Sequence, residues 1–343
     1  MERILVTGGA GFIGSHFVRR LLRQHPEYRV TNIDKLTYAG NRENLRDVEN
    51  DERYRFVQGD ICDAALVDEL VAQADAVVNL AAETHVDRSL LEAGAFIETD
   101  VYGTYVLLSA ARRHGVQRFL QVSTDEVYGD VPEGHFCSET DPLRPRSPYS
   151  ASKAGGEMQC LAFFTSYDLP VFISRAVNAV GPNQHPEKFV PLFTTNALQD
   201  QSLPLYGDGR QVRDWLFVED FCEALDIILH QGQPGQVYNI GADHQRPNVQ
   251  VAEAILGLLG KPHDLIRLVP DRPGHDRRYA LDWAKMRGLG WSPRHTFEEA
   301  LAKTVTWYRD NEAWWRRARG DAYQEYYQRQ YGWRLEAQKE GQG

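Results

Sequence analysis

An apolar run, RILVTG (3–8), leads straight into GAGFIG and sets Gly8, Gly11 and Gly14 in a G-x-x-G-x-x-G spacing. Few folds accommodate that start. Glycines between a strand and a helix, here expected over 12–24, allow a tight turn and let backbone N–H groups approach a pyrophosphate. A second strand, RVTNID (29–34), ends in Asp34, 20 residues past Gly14. A carboxylate there accepts from both ribose hydroxyls and repels a 2′-phosphate, which favours NAD over NADP. Lys35 follows, a basic neighbour that can tolerate a phosphate. Asp60, closing the third strand, is placed either to meet the adenine or as a plain loop carboxylate. Phe12, Ile13, Thr37, Ile61 and Ala81 are expected to complete the cofactor surface.

The alternation continues along the chain. YRFVQGD (54–60), AVVNLAA (76–82), RFLQVST (118–124) and VFISRAV (171–177) read as strands, with helical segments at 64–73, 93–114 and 149–166. Several strands are continuously apolar, as expected when helices cover both faces of a parallel sheet. The fold class is therefore α/β, a doubly wound parallel Rossmann sheet. After about residue 180 the pattern changes. Residues 181–214 are rich in proline, glycine and basic side chains, and 219–231 and VYNIG (237–241) return to a helix and a strand. The expected organisation is an NAD-binding domain of 1–180 plus 215–244 and a smaller mixed α/β lobe of 181–214 plus 245–320. The lobe should close over the carboxyl edge of the sheet, where open α/β sheets hold ligands. A tail, 321–343, is expected to carry no chemistry and to end in disorder.

Composition narrows the function classes. With 42% hydrophobic and 25% charged residues and no low-complexity block, the chain is an ordinary globular one. A net charge of −10 argues against a nucleic-acid binder. No apolar run approaches the roughly 20 residues of a membrane helix, and no signal pattern precedes the first strand, so a cytoplasmic location is expected. Cys62, Cys137, Cys160 and Cys222 are scattered, and the histidines show no ligand spacing, so neither a disulfide frame nor a metal is expected.

Two clusters carry candidate chemistry. In SPYSASK (147–153), Ser147 and Pro148 suit a helix start, so Tyr149 and Lys153 share one face. An ammonium near a phenol lowers its pKa and yields a base near neutrality. Thr124, ending the preceding strand, joins them around a hydroxyl that is to lose hydride. The second cluster is VSTDEVYG (122–129), where Asp125 and Glu126 stand side by side as a buried strand runs out. Alone, that pair reads as a polar strand exit. In a closed site two such carboxylates cannot both ionise cheaply, which separates an acid from a base.

TGGAGFIG, LAAETHVDRS (80–89), the Y-x-x-x-K pair and R-D-W (213–215) resemble the extended short-chain dehydrogenase/reductases that act on nucleotide sugars. STDEVYG, LTYAGN (36–41), HPEKFVPL (185–192), QVRDWLFVED (211–220) and DRPGHDRRYA (271–280) narrow the resemblance to the dTDP-glucose 4,6-dehydratases, over nearly the whole chain to about residue 310. The resemblance implies oxidation at C4 of the glucose unit with Tyr149 as base and NAD as hydride acceptor. Glu126 then abstracts the C5 hydrogen, Asp125 protonates the departing C6 hydroxyl, and hydride returns to C6. It also implies a substrate surface of Arg88, Ser89, Asn178, Lys188, Arg213, Asn248, Arg272 and His275, and a homodimer formed by helices near 93–114 and 149–166. Those helices carry Tyr105, Leu108, Met158, Leu161 and Phe164.

Two places depart from the family's usual pattern. V-N-A-V-G-P (177–182) stands where S-N-N-Y-G-P is common, and Asp100 stands where an asparagine is usual. The alternatives are a UDP-sugar dehydratase, a 4-epimerase or a decarboxylase of the same fold, or a non-catalytic dinucleotide sensor.

Overall fold

A computed structural model of the chain describes residues 1–340. Seven strands form the central sheet: β1 (Arg3–Thr7), β2 (Arg29–Asp34), β3 (Tyr54–Gln58), β4 (Ala76–Asn79), β5 (Arg118–Thr124), β6 (Val171–Ala176) and β7 (Gln236–Ile240). Their order is β7-β6-β5-β4-β1-β2-β3, and every pair is parallel. Parallel neighbours need crossovers, and the helices α1 (Phe12–Gln24), α2 (Ala64–Val71), α3 (Thr104–His114), α4 (Pro148–Tyr167) and α5 (Val218–Gln231) cover both faces. The strand order reverses between β1 and β4, which opens a crevice beyond their carboxyl ends.

Local chemistry explains the elements that frame this crevice. α4 starts in a reciprocal Ser147–Ser150 capping box with Pro148 at its first position, and it ends where Asp168 turns left-handed. The helix expected over 93–114 is broken. A short α turn (Gly94–Phe96) runs into a π-helical turn (Ile97–Gly103) before α3 begins. The Thr104 hydroxyl donates to the Asp100 carbonyl at 2.7 Å, while the Asp100 side chain is held by Glu83 and Ser152. A residue pulled from both sides suits a π turn, which carries one extra residue.

Past β6 the chain builds a second layer from helices Phe189–Leu198, Asn248–Leu259 and Phe297–Asp310 and three short strand pairs. Val190, Phe193, Leu205, Trp215, Ile255 and Leu301 form its core. The described residues past 320, expected as a C-terminal tail, are ordered. They are helical over Asp321–Tyr327, Gln328–Gly332 and Trp333–Glu340. Tyr323 and Tyr331 complete the core of the second layer, and the Tyr326 hydroxyl lies 3.0 Å from Nδ1 of His85 near the crevice. Aromatic residues at helical spacing supply the apolar stripe that holds the segment down. The disorder expected at the very end concerns residues 341–343, which lie outside the described residues. The histidines also converge in one place that their spacing did not disclose. His25 and His230 meet across Asp226, whose other oxygen takes Arg20 at 2.8 Å.

If the last helices are part of the core, Tyr323→Ala should cost about 3 kcal/mol in urea denaturation, in the range for large aromatic truncations. An unchanged midpoint would return the segment to the status of an appended tail.

Candidate active site

The glycine turn closes on itself and on its neighbour. Gly8 has φ +67°, and a Cβ on it would stand 2.7 Å from the Ala81 backbone. A Cβ on Gly14 would lie 2.2 Å from the Gly8 carbonyl. No larger residue fits either position, so α1 begins flush against the crevice with its first N–H groups open to an anion. Asp34 is seated by two backbone donors, Ala10 N to Oδ2 at 2.9 Å and Leu36 N to Oδ1 at 2.8 Å. Burial pushes its carboxyl up, and those two bonds oppose the shift. Lys35 and Asp60 form an ion pair of 2.6 Å, and Cys62 N caps the other Asp60 oxygen at 2.9 Å. The base that could welcome a 2′-phosphate already has its carboxylate. These features, with Phe12, Ile13, Thr37, Ile61 and Ala81 along the same wall, fit a dinucleotide with a free ribose.

The same crevice contains Thr124, Asp125, Glu126, Tyr149, Lys153, Asn178 and Lys188. β5 ends at Thr124, and a tight 3-10 turn over Asp125–Tyr128 brings both carboxylates into the crevice. Thr124 Oγ1 donates to Asp125 Oδ1 at 3.1 Å and accepts from Glu126 N at 3.2 Å. Asp125 Oδ2 is buried with no hydrogen-bond partner. Burial, then the neighbouring Glu126, hold the Asp125 carboxyl well above the ordinary carboxylate range. Burial also raises Glu126, but Arg272, Arg213 and Lys188 pull it back down. The surroundings therefore favour Asp125 as the acid and Glu126 as the base of the pair.

Tyr149 departs from the sequence expectation. Burial, Glu126 and Asp100 push its phenol well above the usual value, with Thr124 opposing. Lys153 Nζ donates to the Val122 carbonyl at 2.8 Å, and burial depresses its own pKa while Asp100 and Glu157 oppose that shift. The ammonium is turned toward the end of β5, a contact between residues 31 apart that helical spacing alone cannot reveal.

The expected substrate residues divide. Arg272 reaches Asp87 at 2.8 Å and influences Glu126, and Arg213 lies 4.1 Å over the Tyr279 ring while donating to the Asp276 carbonyl. His275 pairs with Asp271 at 2.6 Å, and burial with the two nearby arginines lowers it to about 4, so it is neutral. Arg88 is taken up by Glu187 at 2.8 Å and sandwiched between Tyr38 and Tyr326. Ser89 is buried, and its hydroxyl donates to the Val86 carbonyl of its own helix. Asn248 sits at a helix start and Asn178 at the start of a short strand in the crevice, each with a buried, unpartnered Oδ1. Unpartnered buried oxygens of this kind await a donor. Val177 and Ala179, within the departing 177–182 segment, leave that wall apolar.

Sequence reading missed Tyr279. Its hydroxyl lies 2.8 Å from Asp276 and 3.3 Å from Glu126 Oε2. Only its place at the end of DRPGHDRRYA hinted at it; no periodicity did.

A dinucleotide cradle, a Thr–Tyr–Lys set and an acid–base pair on one doubly wound sheet define an extended short-chain dehydrogenase/reductase of the nucleotide-sugar class. The sequence matches the GDP-mannose 4,6-dehydratase family over residues 5–304. It is 52% identical over 318 residues to a dTDP-glucose 4,6-dehydratase of Streptomyces niveus, spanning 91% of this chain and 94% of that one. A dTDP-glucose 4,6-dehydratase from Streptomyces venezuelae, solved with NAD bound, shares the structure at a TM-score of 0.90 and 48% identity, covering 92% and 99% of the two chains. A UDP-glucose 4-epimerase of Thermus thermophilus, also solved with NAD, gives 0.84 and 33%, covering 90% and 99%. The chain belongs to the GDP-mannose 4,6-dehydratase family, among its dTDP-glucose 4,6-dehydratases. Among the described residues no helix is long and apolar enough to cross a membrane.

Asp34→Ala should weaken NAD binding about tenfold by titration calorimetry, the loss of roughly one to two good hydrogen bonds. NADP should gain little, because Lys35 stays with Asp60.

Proposed function

We infer that the protein converts dTDP-glucose to dTDP-4-keto-6-deoxyglucose with NAD as an internally recycled cofactor. The observation that carries the reading is the placing of Asp125 and Glu126 side by side in the crevice with Thr124, Tyr149 and Lys153, where burial and Glu126 favour the protonated form of Asp125 while Arg272, Arg213 and Lys188 oppose the rise of Glu126. Bound NAD supplies the hydride acceptor for C4 and the hydride donor for C6. Tyr149 takes the C4 hydroxyl proton, and the proton on Asp125 removes one of the charges that oppose phenolate formation there. Thr124 favours the charged form of the tyrosine, and Lys153 stands one turn along the same helix. The C4 ketone acidifies the C5 hydrogen, which Glu126 removes. Asp125 gives its proton to the C6 hydroxyl as the C6–O bond breaks, so that water leaves. The proton held by Glu126 returns to C5 when hydride reaches C6. Arg213 and Arg272, kept in place by Tyr279 and Asp87, suit the substrate diphosphate.

The reading extends to assembly and location. Ile97, Tyr102, Tyr105, Met158 and Tyr167 are exposed large hydrophobics on the π turn, α3 and α4, which supports a homodimer through that face. Of the stripe read from sequence, Leu108 belongs to the core, and Leu161 and Phe164 pack against it. Four free thiols support a cytoplasmic location.

Mass spectrometry after separate incubation with dTDP-glucose and UDP-glucose tests the function. Loss of one water from dTDP-glucose without net consumption of NAD is expected, and no change with either sugar would refute it. Asp125→Asn should cut dehydration about 100-fold while the absorbance of reduced cofactor accumulates, whereas Glu126→Gln should also abolish solvent exchange at C5. If Asp125→Asn retained full turnover, the acid would have to be sought elsewhere. Sedimentation should give twice the 39.1 kDa of the chain.

A further inference from the structure

Asp100 is a buried carboxyl that the reaction scheme does not use. It lies in the π turn and packs against the first turn of α4, the helix that carries Tyr149 and Lys153. Its Oδ1 accepts from Glu83 N at 3.0 Å, and its Oδ2 lies 2.6 Å from Ser152 Oγ. That same Oγ lies 2.8 Å from the Tyr149 carbonyl. A hydroxyl has one proton and cannot donate to both oxygens. Both contacts become hydrogen bonds when Asp100 itself carries a proton, donates it to Ser152, and lets Ser152 donate to Tyr149. An asparagine amide at this position would make the same pair of bonds, N–H to Ser152 and C=O from Glu83.

We propose that Asp100 is a positioning residue that works as a neutral acid, donating its proton to Ser152 to fix the turn that presents Tyr149, and that its ionisation sets a negative charge behind Tyr149 and weakens it as a base. The proposal rests on the dehydratase reading. The groups facing Asp100 fit it. From α4 come Lys153 and Tyr149, while Glu157 on that helix is held by Arg175 at 2.6 Å. Glu83 contributes a second negative charge from the loop after β4, and α3 presents the neutral Thr104. Lys153 is the one cation among them, and its Nζ is engaged by Val122. Burial lifts the Asp100 carboxyl to about 6, with Lys153 and Ser152 opposing, and Asp100 in turn helps to raise Tyr149.

A carboxyl raised on folding from 3.8 to about 6 contributes stability in full below the lower value and loses it as pH rises through the upper one. The melting temperature of Asp100→Asn should therefore gain on the unsubstituted protein by about 2 °C between roughly pH 4.5 and 7.5. In kcat/KM for dTDP-glucose, the acid limb of Asp100→Asn should move about half a pH unit or more to lower pH, because one of the anions that oppose the Tyr149 phenolate is then gone. Parallel melting curves and superimposed pH profiles would overturn the proposal. Should the asparagine variant fail to fold, carboxyl carbon NMR of the aspartate-labelled wild type should show one aspartate titrating near 6, and its absence would overturn the proposal equally. The melting comparison needs no substrate. Failure of dTDP-glucose turnover in the unsubstituted protein would refute the activity and leave the state of Asp100 decided separately.

Discussion

Strands that are parallel and covered on both faces leave one outlet for polar chemistry, the carboxyl edge of the sheet. The whole site is arranged along it: the glycine turn after β1, Asp34 at the end of β2, Thr124 and the two carboxyls after β5, and the Asn178 segment after β6. A buried polar ladder ties these ends together. Thr7 Oγ1 donates to Asn79 Oδ1 at 2.6 Å, Asn79 Nδ2 donates to Gln121 Oε1 at 2.9 Å, and Ala81 N donates to Thr7 Oγ1 at 3.0 Å. With every member paired, the ladder sets the height of Ala81 above Gly8 and so the shape of the cradle.

The second layer decides the charges within that frame. Asp125 and Glu126 are chemically near-equal, and burial raises both. Their difference arises because Arg213, Arg272 and Lys188, all from segments beyond β6, converge on Glu126 more than on Asp125. Arg272, Arg213 and also Arg88 are themselves held by acids and aromatics. Arg272 rests on Asp87, Arg88 on Glu187, and Arg213 on Tyr279. Glu187 shows the strength of that field, since burial pushes it up while His85, His185, Arg88 and Lys188 outweigh it and leave it at about 2. Ion pairs buried this deeply are weak contributors to stability but good at fixing position. The last helices join the same network through Tyr326, which stacks on Arg88 and meets His85.

What could be read in the sequence was whatever short-range sterics and periodicity decide. The glycine spacing dictated a turn that only glycine can make, apolar runs alternating with helical segments dictated the parallel sheet, and SPYSASK dictated a capped helix with Tyr149 and Lys153 on one face. The acidic pair after a buried strand marked the chemistry. The tertiary structure alone decided the unequal surroundings of that pair, the direction of Lys153, the burial that raises the Tyr149 phenol, the π turn at Asp100 and the docking of the final helices. These depend on desolvation and on charges brought together from segments up to some 240 residues apart, as His85 and Tyr326 are. A local pattern can name a carboxyl or a phenol, but the free energy of charging it is set by everything folded around it.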